Sequence, residues 1–169
     1  MPIQADALKS MIAGELANVT DQRVLEHIRA LLIEPKIVLR DWDYGEPGQR
    51  FPCWTVFEDR ASETVIAFCE QGFGPTYPWG LVHMSKGDEG GIGMDSGWFL
   101  NFLDTFYEST SATRLPIWQV VKTSAEGNKT VLTDDLPWQV AWDKIARLRA
   151  ADPASQYNCD PHGAWREPG

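Results

Sequence analysis

Hydrophobic residues in the first 35 positions recur at helical spacing. Residues 7–19 carry apolar side chains three and four positions apart, and Asp6 precedes them as a candidate N-cap. A second apolar stripe follows Thr20 and Asp21, and Pro35 is expected to end that helix because proline cannot continue one. The pattern therefore predicts a helical hairpin that packs one apolar side against the rest of the protein.

The spacing then changes to that of β-strands. Segments rich in β-branched and aromatic residues occupy positions 37–44, 51–58 and 64–70, and a shorter one occupies 81–84. The turns between the first three segments are short and polar. Short connections favour antiparallel pairing, because a parallel crossover needs a dozen or more residues. We therefore expect an antiparallel meander in the middle of the chain.

Helical and strand-like segments alternate in the second half of the chain. Asp95 or Ser96 is expected to cap a third helix with Trp98 and Phe99 on its broad apolar side. The remaining predicted elements are strands at 115–122 and 130–133 and a last helix that begins near Pro137.

The order of these elements indicates an α+β fold. We expect residues 1–151 to form a single α+β domain, in which an antiparallel sheet is covered by the N-terminal helical hairpin and the C-terminal helices. Residues 152–169 contain three prolines and show no periodicity. They are therefore predicted to form an irregular C-terminal tail.

The net charge of −9 originates in the middle of the chain. Residues 41–108 contain 12 acidic and 3 basic side chains, whereas the rest of the chain contains 12 of each. Phosphate binding needs clustered lysine and arginine, so this distribution argues against nucleic acid and anionic membranes as partners. It is compatible with a basic protein partner. The simpler alternative is that the acidic surface only aids solubility.

Targeting and redox signals favour the cytoplasm. The N-terminus has no basic region followed by an apolar run, and no apolar stretch approaches the ~20 residues that a membrane span needs. The three cysteines, Cys53, Cys69 and Cys159, are odd in number and lack metal-finger spacing, which is typical of a reducing compartment. Cys53 and Cys69 lie within strand patterns and would be close together if their strands pair.

Residues 71–82 form the most distinctive segment. They include three glycines, two prolines and three aromatic residues, a composition that predicts an ordered loop. Tyr77 and Trp79 flank Pro78. Aromatic side chains on a stiff loop lose little conformational entropy on contact, so we interpret both as candidate partner-binding anchors. The alternative is that Trp79 folds back to close the core.

Candidate catalytic chemistry is sparse. His83 could act as a base oriented by Asp88 or Asp95, but no nucleophile motif accompanies it. The glycine-rich stretch 90–97 lacks the lysine of a P-loop and the spacing of a dinucleotide fingerprint, so we expect no cofactor. No histidine or carboxylate spacing predicts a metal site. We therefore expect no catalytic residues, with a small hydrolase that uses His83 and a nearby carboxylate as the alternative.

The loop at residues 71–82 also resembles a motif of other proteins. The stretch 72–75, with the sequence GFGP, and the stretch 78–82, with the sequence PWGLV, resemble a motif of small bacterial proteins. In its compact, acidic, α+β character the chain is also similar to immunity proteins of bacterial polymorphic toxin systems. This resemblance implies a cytoplasmic protein-binding module that covers the basic active site of a toxin. A structural subunit without activity of its own is a further alternative. The candidate partner-binding residues are Tyr77, Trp79, Asp88, Glu89, Asp41, Asp43 and Glu70.

Overall fold

The computed structural model of the protein describes residues 3–42, 45–71, 75–84 and 97–161. Its helices and antiparallel sheets confirm the predicted α+β class. Within these residues the helices are α1 (Ala5–Leu16), α2 (Gln22–Leu31), α3 (Phe102–Tyr107), α4 (Thr110–Thr113) and α5 (Trp138–Ala151). The strands are β1 (Leu32–Asp41), β2 (Arg50–Asp59), β3 (Thr64–Phe68), β4 (Trp79–His83), β5 (Gly97–Phe99), β6 (Trp118–Thr123), β7 (Lys129–Leu136) and β8 (Gln156–Pro161).

The strands form two antiparallel sheets. The larger sheet has five strands in the order β1-β2-β3-β4-β5, which follows their order in the chain. In the smaller sheet, β6 lies between β7 and β8. The meander predicted for the middle of the chain is therefore confirmed, and β5 extends it by one strand. Helix α1 packs on β1 and α3, α2 packs on β2, and α5 packs on β6 and β8.

The N-terminal helices follow the predicted pattern with two differences. Asp21 caps α2 by accepting a hydrogen bond from the Arg23 N–H at 2.9 Å, as expected. Asp6 does not cap α1, because it lies within the first turn, where its charge still complements the helix dipole. Pro35 does not end α2, since that helix runs into β1 at Leu32. Proline is tolerated there because β1 is an edge strand whose register shifts between Leu32 and Lys36.

The predicted start of the third helix is wrong. Trp98 and Phe99 belong to β5, and α3 begins at Phe102 behind the N-cap Asn101. The Trp98 ring lies against Gly80 of the neighbouring strand, and a Cβ atom on Gly80 would come within 2.9 Å of it. This close approach favours Trp98 in the sheet, because only glycine at position 80 leaves room for the ring. Asp95 and Ser96 lie outside the described residues.

The C-terminal segment is also more regular than predicted. Residues Gln156–Pro161 form β8, which pairs with β6 from Thr123↔Gln156 to Trp118↔Pro161. Short segments lack a detectable period on their own, and this one is held by its pairing with β6 and by the packing of α5 on β8. The irregular tail predicted from residue 152 is therefore corrected for residues 156–161, and residues 162–169 lie outside the described part of the chain.

Edge-to-face aromatic pairs fill the core beneath the larger sheet. The Trp79 side chain is only 1% exposed, and its ring lies 5.1 Å from that of Phe68 and 5.6 Å from that of Phe102. Phe57 continues the cluster, with ring centroids 6.3 Å from Phe102 and 5.9 Å from Phe106. Such pairs stabilise a core beyond the area they bury. The cluster joins three neighbouring strands to α3.

We expect Trp79→Ala to lower the free energy of unfolding by about 3–5 kcal/mol, because it empties the centre of this cluster. Tyr77→Ala is the matched control, since Tyr77 is two positions away and 48% exposed, and it should cost no more than about 0.5 kcal/mol. Urea denaturation followed by circular dichroism measures both values. Similar losses for the two variants would contradict the core role of Trp79.

Candidate functional site

Four strand ends meet at one end of the larger sheet. β1 ends at Asp41 and β2 begins at Arg50, while β3 ends at Phe68 and β4 begins at Trp79. Neighbouring strands lie ~4.8 Å apart, so this end is about 14 Å wide from β1 to β4. We call the surface formed here by Asp41, Glu46, Glu70 and Tyr77 the acidic end.

The acidic end carries more negative than positive charge. Asp41, Glu46 and Glu70 are all exposed. The Asp41 carboxylate accepts a hydrogen bond from Arg50 Nε at 3.1 Å and is thereby neutralised. The carboxylates of Glu46 and Glu70 have no ion-pair partner among the residues that the structure describes. Two uncompensated negative charges therefore remain at this surface.

Tyr77 projects from an anchored segment. Its side chain is 48% exposed, whereas the next two residues, Pro78 and Trp79, are buried. The Pro78 carbonyl accepts a hydrogen bond from the Cys69 N–H at 2.8 Å, which ties the segment to the end of β3. An exposed ring on a fixed backbone can bind a partner with little loss of conformational entropy.

The structure brings together some of the predicted partner-binding residues. Asp41, Glu70 and Tyr77 all belong to the acidic end. Trp79 does not, because its burial in the aromatic core leaves no surface for a partner, and its assignment as a partner-binding anchor is corrected. Asp43, Asp88 and Glu89 lie outside the described residues, as do positions 72–74 of the loop.

The candidate base His83 lies at the opposite end of the sheet. Its backbone pairs with Thr64, and its side chain is outside the described part of the structure, together with Asp88 and Asp95. A cleft of about 350 Å³ opens at this end. Its polar lining includes Ser62, Glu63, Glu108 and Ser109.

A buried polar network that the sequence analysis missed lies beside this cleft. The carboxylate of Asp59 accepts hydrogen bonds from the Ser62 hydroxyl at 2.6 Å, from the Ser111 hydroxyl at 2.7 Å and from the Ala61 N–H at 3.0 Å. The Thr64 hydroxyl oxygen accepts a bond from the Ser111 N–H at 3.2 Å. The spacing of Asp59 and Ser62 at the end of a strand is typical of a turn stabilised by side-chain hydrogen bonds. This spacing is the feature of the sequence from which the network could have been predicted.

The hydrogen bonds of this network determine which of its atoms carry protons. Ionised Asp59 can only accept, so Ser111 gives its one hydroxyl proton to Asp59 and accepts a bond from His27 Nε2, which is 2.8 Å away. Burial alone would raise the pKa of Asp59, but hydrogen bonds from Ser111, Ser62 and Ala61 lower it below its usual value. Every proton of the Ser111 hydroxyl and amide is thus engaged, and the serine is held as a structural link.

Burial lowers the pKa of His27, and the nearby charge of Asp59 opposes that shift only in part. The imidazole is half-buried beside the Phe106 ring, at 6.1 Å between centroids. His27 is therefore neutral near pH 7 and carries its proton on Nε2. This arrangement connects α2 to α4 through Ser111.

Cys53 and Cys69 lie close together, as expected from the pairing of their strands. Both are buried free thiols, one step beyond the Trp54↔Phe68 pair of β2 and β3. Hydrogen bonding to Cys69 and burial raise the pKa of the Cys53 thiol well above its usual range. Because the thiolate is the reactive form, neither geometry nor ionisation favours nucleophilic chemistry at Cys53.

Among the described residues, no group of three or more histidine, cysteine or acidic side chains could hold a metal ion. No helix within the described ranges is long and apolar enough to cross a membrane. Comparisons with protein-family models, curated proteins and solved structures find no match to the chain.

We expect the free energy of unfolding to decrease as the pH falls below about 6.5, because the unfolded chain protonates its His27 before the folded protein does. His27→Gln, which can still donate to Ser111, should lack this component. The advantage of wild type over the variant should therefore shrink between about pH 7 and pH 5 in urea denaturation.

Two other groups also change the free energy of unfolding with pH, but their contributions can be separated from that of His27. Burial raises the pKa of Glu15, which makes its stability contribution increase on acidification, but this contribution is common to both proteins and cancels in the difference. The lowered pKa of Asp59 reduces stability only at lower pH, near and below 3.8. Parallel curves for wild type and His27→Gln would contradict the assignment.

Proposed function

We propose that the protein is a protein-binding module that uses its acidic end to bind a basic partner. The observation that carries this proposal is the position of Tyr77, which is 48% exposed on an anchored segment at the same sheet end as Glu46 and Glu70. Aromatic anchors inside a charged surface are common features of protein interfaces. The acidic residues would steer the encounter, and Tyr77 would hold the complex.

The partner that best fits this surface is a toxin with a basic active site. Toxins that act on nucleic acids need positively charged clefts, because phosphate binding depends on lysine and arginine. An acidic cover over such a cleft would exclude the substrate and be attracted by the same charges. The proposal is therefore a cytoplasmic immunity protein that neutralises a bacterial toxin by occlusion, with no catalytic step of its own.

The proposal can be tested in two stages. The tagged protein is first used to isolate its partner from the native host, and the partner is identified by mass spectrometry. The partner is then expressed alone and together with this protein. We expect growth arrest in the first case and recovery in the second. A binding partner that is harmless when expressed alone would contradict the immunity function.

We expect the double variant Glu46→Lys/Glu70→Lys to lower the association rate constant about tenfold or more, because it reverses the charges that steer the partner. Glu26→Lys/Asp143→Lys is the matched control, since it changes the net charge equally at exposed positions of α2 and α5. Tyr77→Ala should instead raise the dissociation rate constant. Surface plasmon resonance measures both constants.

The salt dependence of the association rate is an independent test of electrostatic steering. Screening shortens to ~8 Å at physiological ionic strength, so the wild-type association rate should fall between roughly 0.05 and 0.5 M salt. The dependence should be weaker for Glu46→Lys/Glu70→Lys than for the control pair. Equal rates for the two double variants, or a rate indifferent to salt, would show that the acidic end does not steer the partner.

A further inference from the structure

A groove lies between α1 and the junction of α2 with β1, at the end of β1 remote from Asp41. This open groove has a volume of about 520 Å³, within the range of 300–1,000 Å³ typical of small-molecule sites. One wall is a single stripe of α1 at helical spacing. The other is the last turn of α2 and the start of β1, where Leu32, Ile33 and Pro35 line it.

The interior of this groove is apolar and open. Ile12 and Leu16 form its buried floor, with Leu32 beside them. Ala13 on the same stripe of α1 and Ala17, the residue after its end, are exposed and short. A larger apolar residue at either position would fill the space between the two walls. The short side chains at these two positions leave that space open.

Within the described part of the chain, one unpaired cation lies at the rim. Lys9 is paired with Glu34 across the groove and lies 3.7 Å from Asp6. The exposed guanidinium of Arg29 lines the same groove, and no ion pair or hydrogen bond joins it to any residue that the structure describes. In a chain with a net charge of −9, this leaves a local cation beside an apolar cavity.

We propose that this groove binds a small amphipathic carboxylate, such as a medium-chain fatty acid. The carboxylate would accept hydrogen bonds from Arg29, whose guanidinium matches its two oxygens. The unbranched chain would lie along Ile12, Leu16 and Leu32. Because Lys9 is already paired with Glu34, Arg29 is the cation left to bind an anion. The volume suits a small molecule better than a protein segment. The basic partner proposed for the acidic end would be disfavoured here, so the two sites are independent.

The test is isothermal titration calorimetry of the full-length protein with sodium decanoate. We expect saturable binding with one site. Arg29→Gln should weaken it about tenfold or more, because a charge-assisted hydrogen bond is lost. Arg147→Gln, at an exposed arginine of α5, is the matched control and should bind like wild type.

A second test fills the groove with a larger side chain. Ala13→Leu should abolish decanoate binding because the new side chain occupies the cavity, whereas Ala146→Leu, at an exposed alanine of α5, should not. Circular dichroism confirms that each variant is folded, and Ala17→Leu replaces Ala13→Leu if the latter is not. No binding at about 1 mM decanoate would overturn the proposal. So would binding that survives both occlusion and Arg29→Gln, or equal affinity for decan-1-ol.

Discussion

The buried carboxylate of Asp59 is the constraint on which much of the fold depends. An ionised group removed from water is costly unless hydrogen bonds replace its hydration. Those bonds come from the β2–β3 turn and from Ser111 of α4, and Ser111 in turn holds His27 of α2. Loss of any one donor would leave a buried charge undersatisfied, so the three elements are fixed relative to one another.

This constraint acts at only one end of the larger sheet. β2 ends at Asp59 and β3 begins at Thr64, so the network closes the end opposite the acidic end. The acidic end, by contrast, depends on exposed side chains whose replacement costs little stability. Folding and the partner binding proposed above therefore rest on different residues. Such a division lets a binding surface change to match its partner without loss of the fold.

The elements that could be predicted from the sequence are those with a recognisable local pattern of apolar residues. Helices α1, α2 and α5 follow local apolar periods, and strands β2, β3 and β4 are rich in β-branched and aromatic residues. Prediction failed where a distant partner decides the conformation. Trp98 has the spacing of a helix but pairs with Gly80, and β8 becomes a strand only beside β6. The same distinction applies to the residues of the candidate site. Tyr77 and Glu70 could be selected from composition, whereas the burial of Trp79 and the bonds of Asp59 depend on the assembled sheet.

Net charge alone describes this protein poorly, because its unpaired charged groups are unevenly distributed over the surface. Glu34 and Asp41 are seven residues apart on extended β1, a separation of about 20 Å. That distance exceeds the ~8 Å over which exposed charges act at physiological ionic strength. The uncompensated carboxylates of the acidic end and the cation at the groove rim therefore act on their surroundings separately. In the two proposals above, each surface takes a ligand of the opposite charge, and repulsion of the wrong ligand contributes to specificity as much as attraction of the right one does.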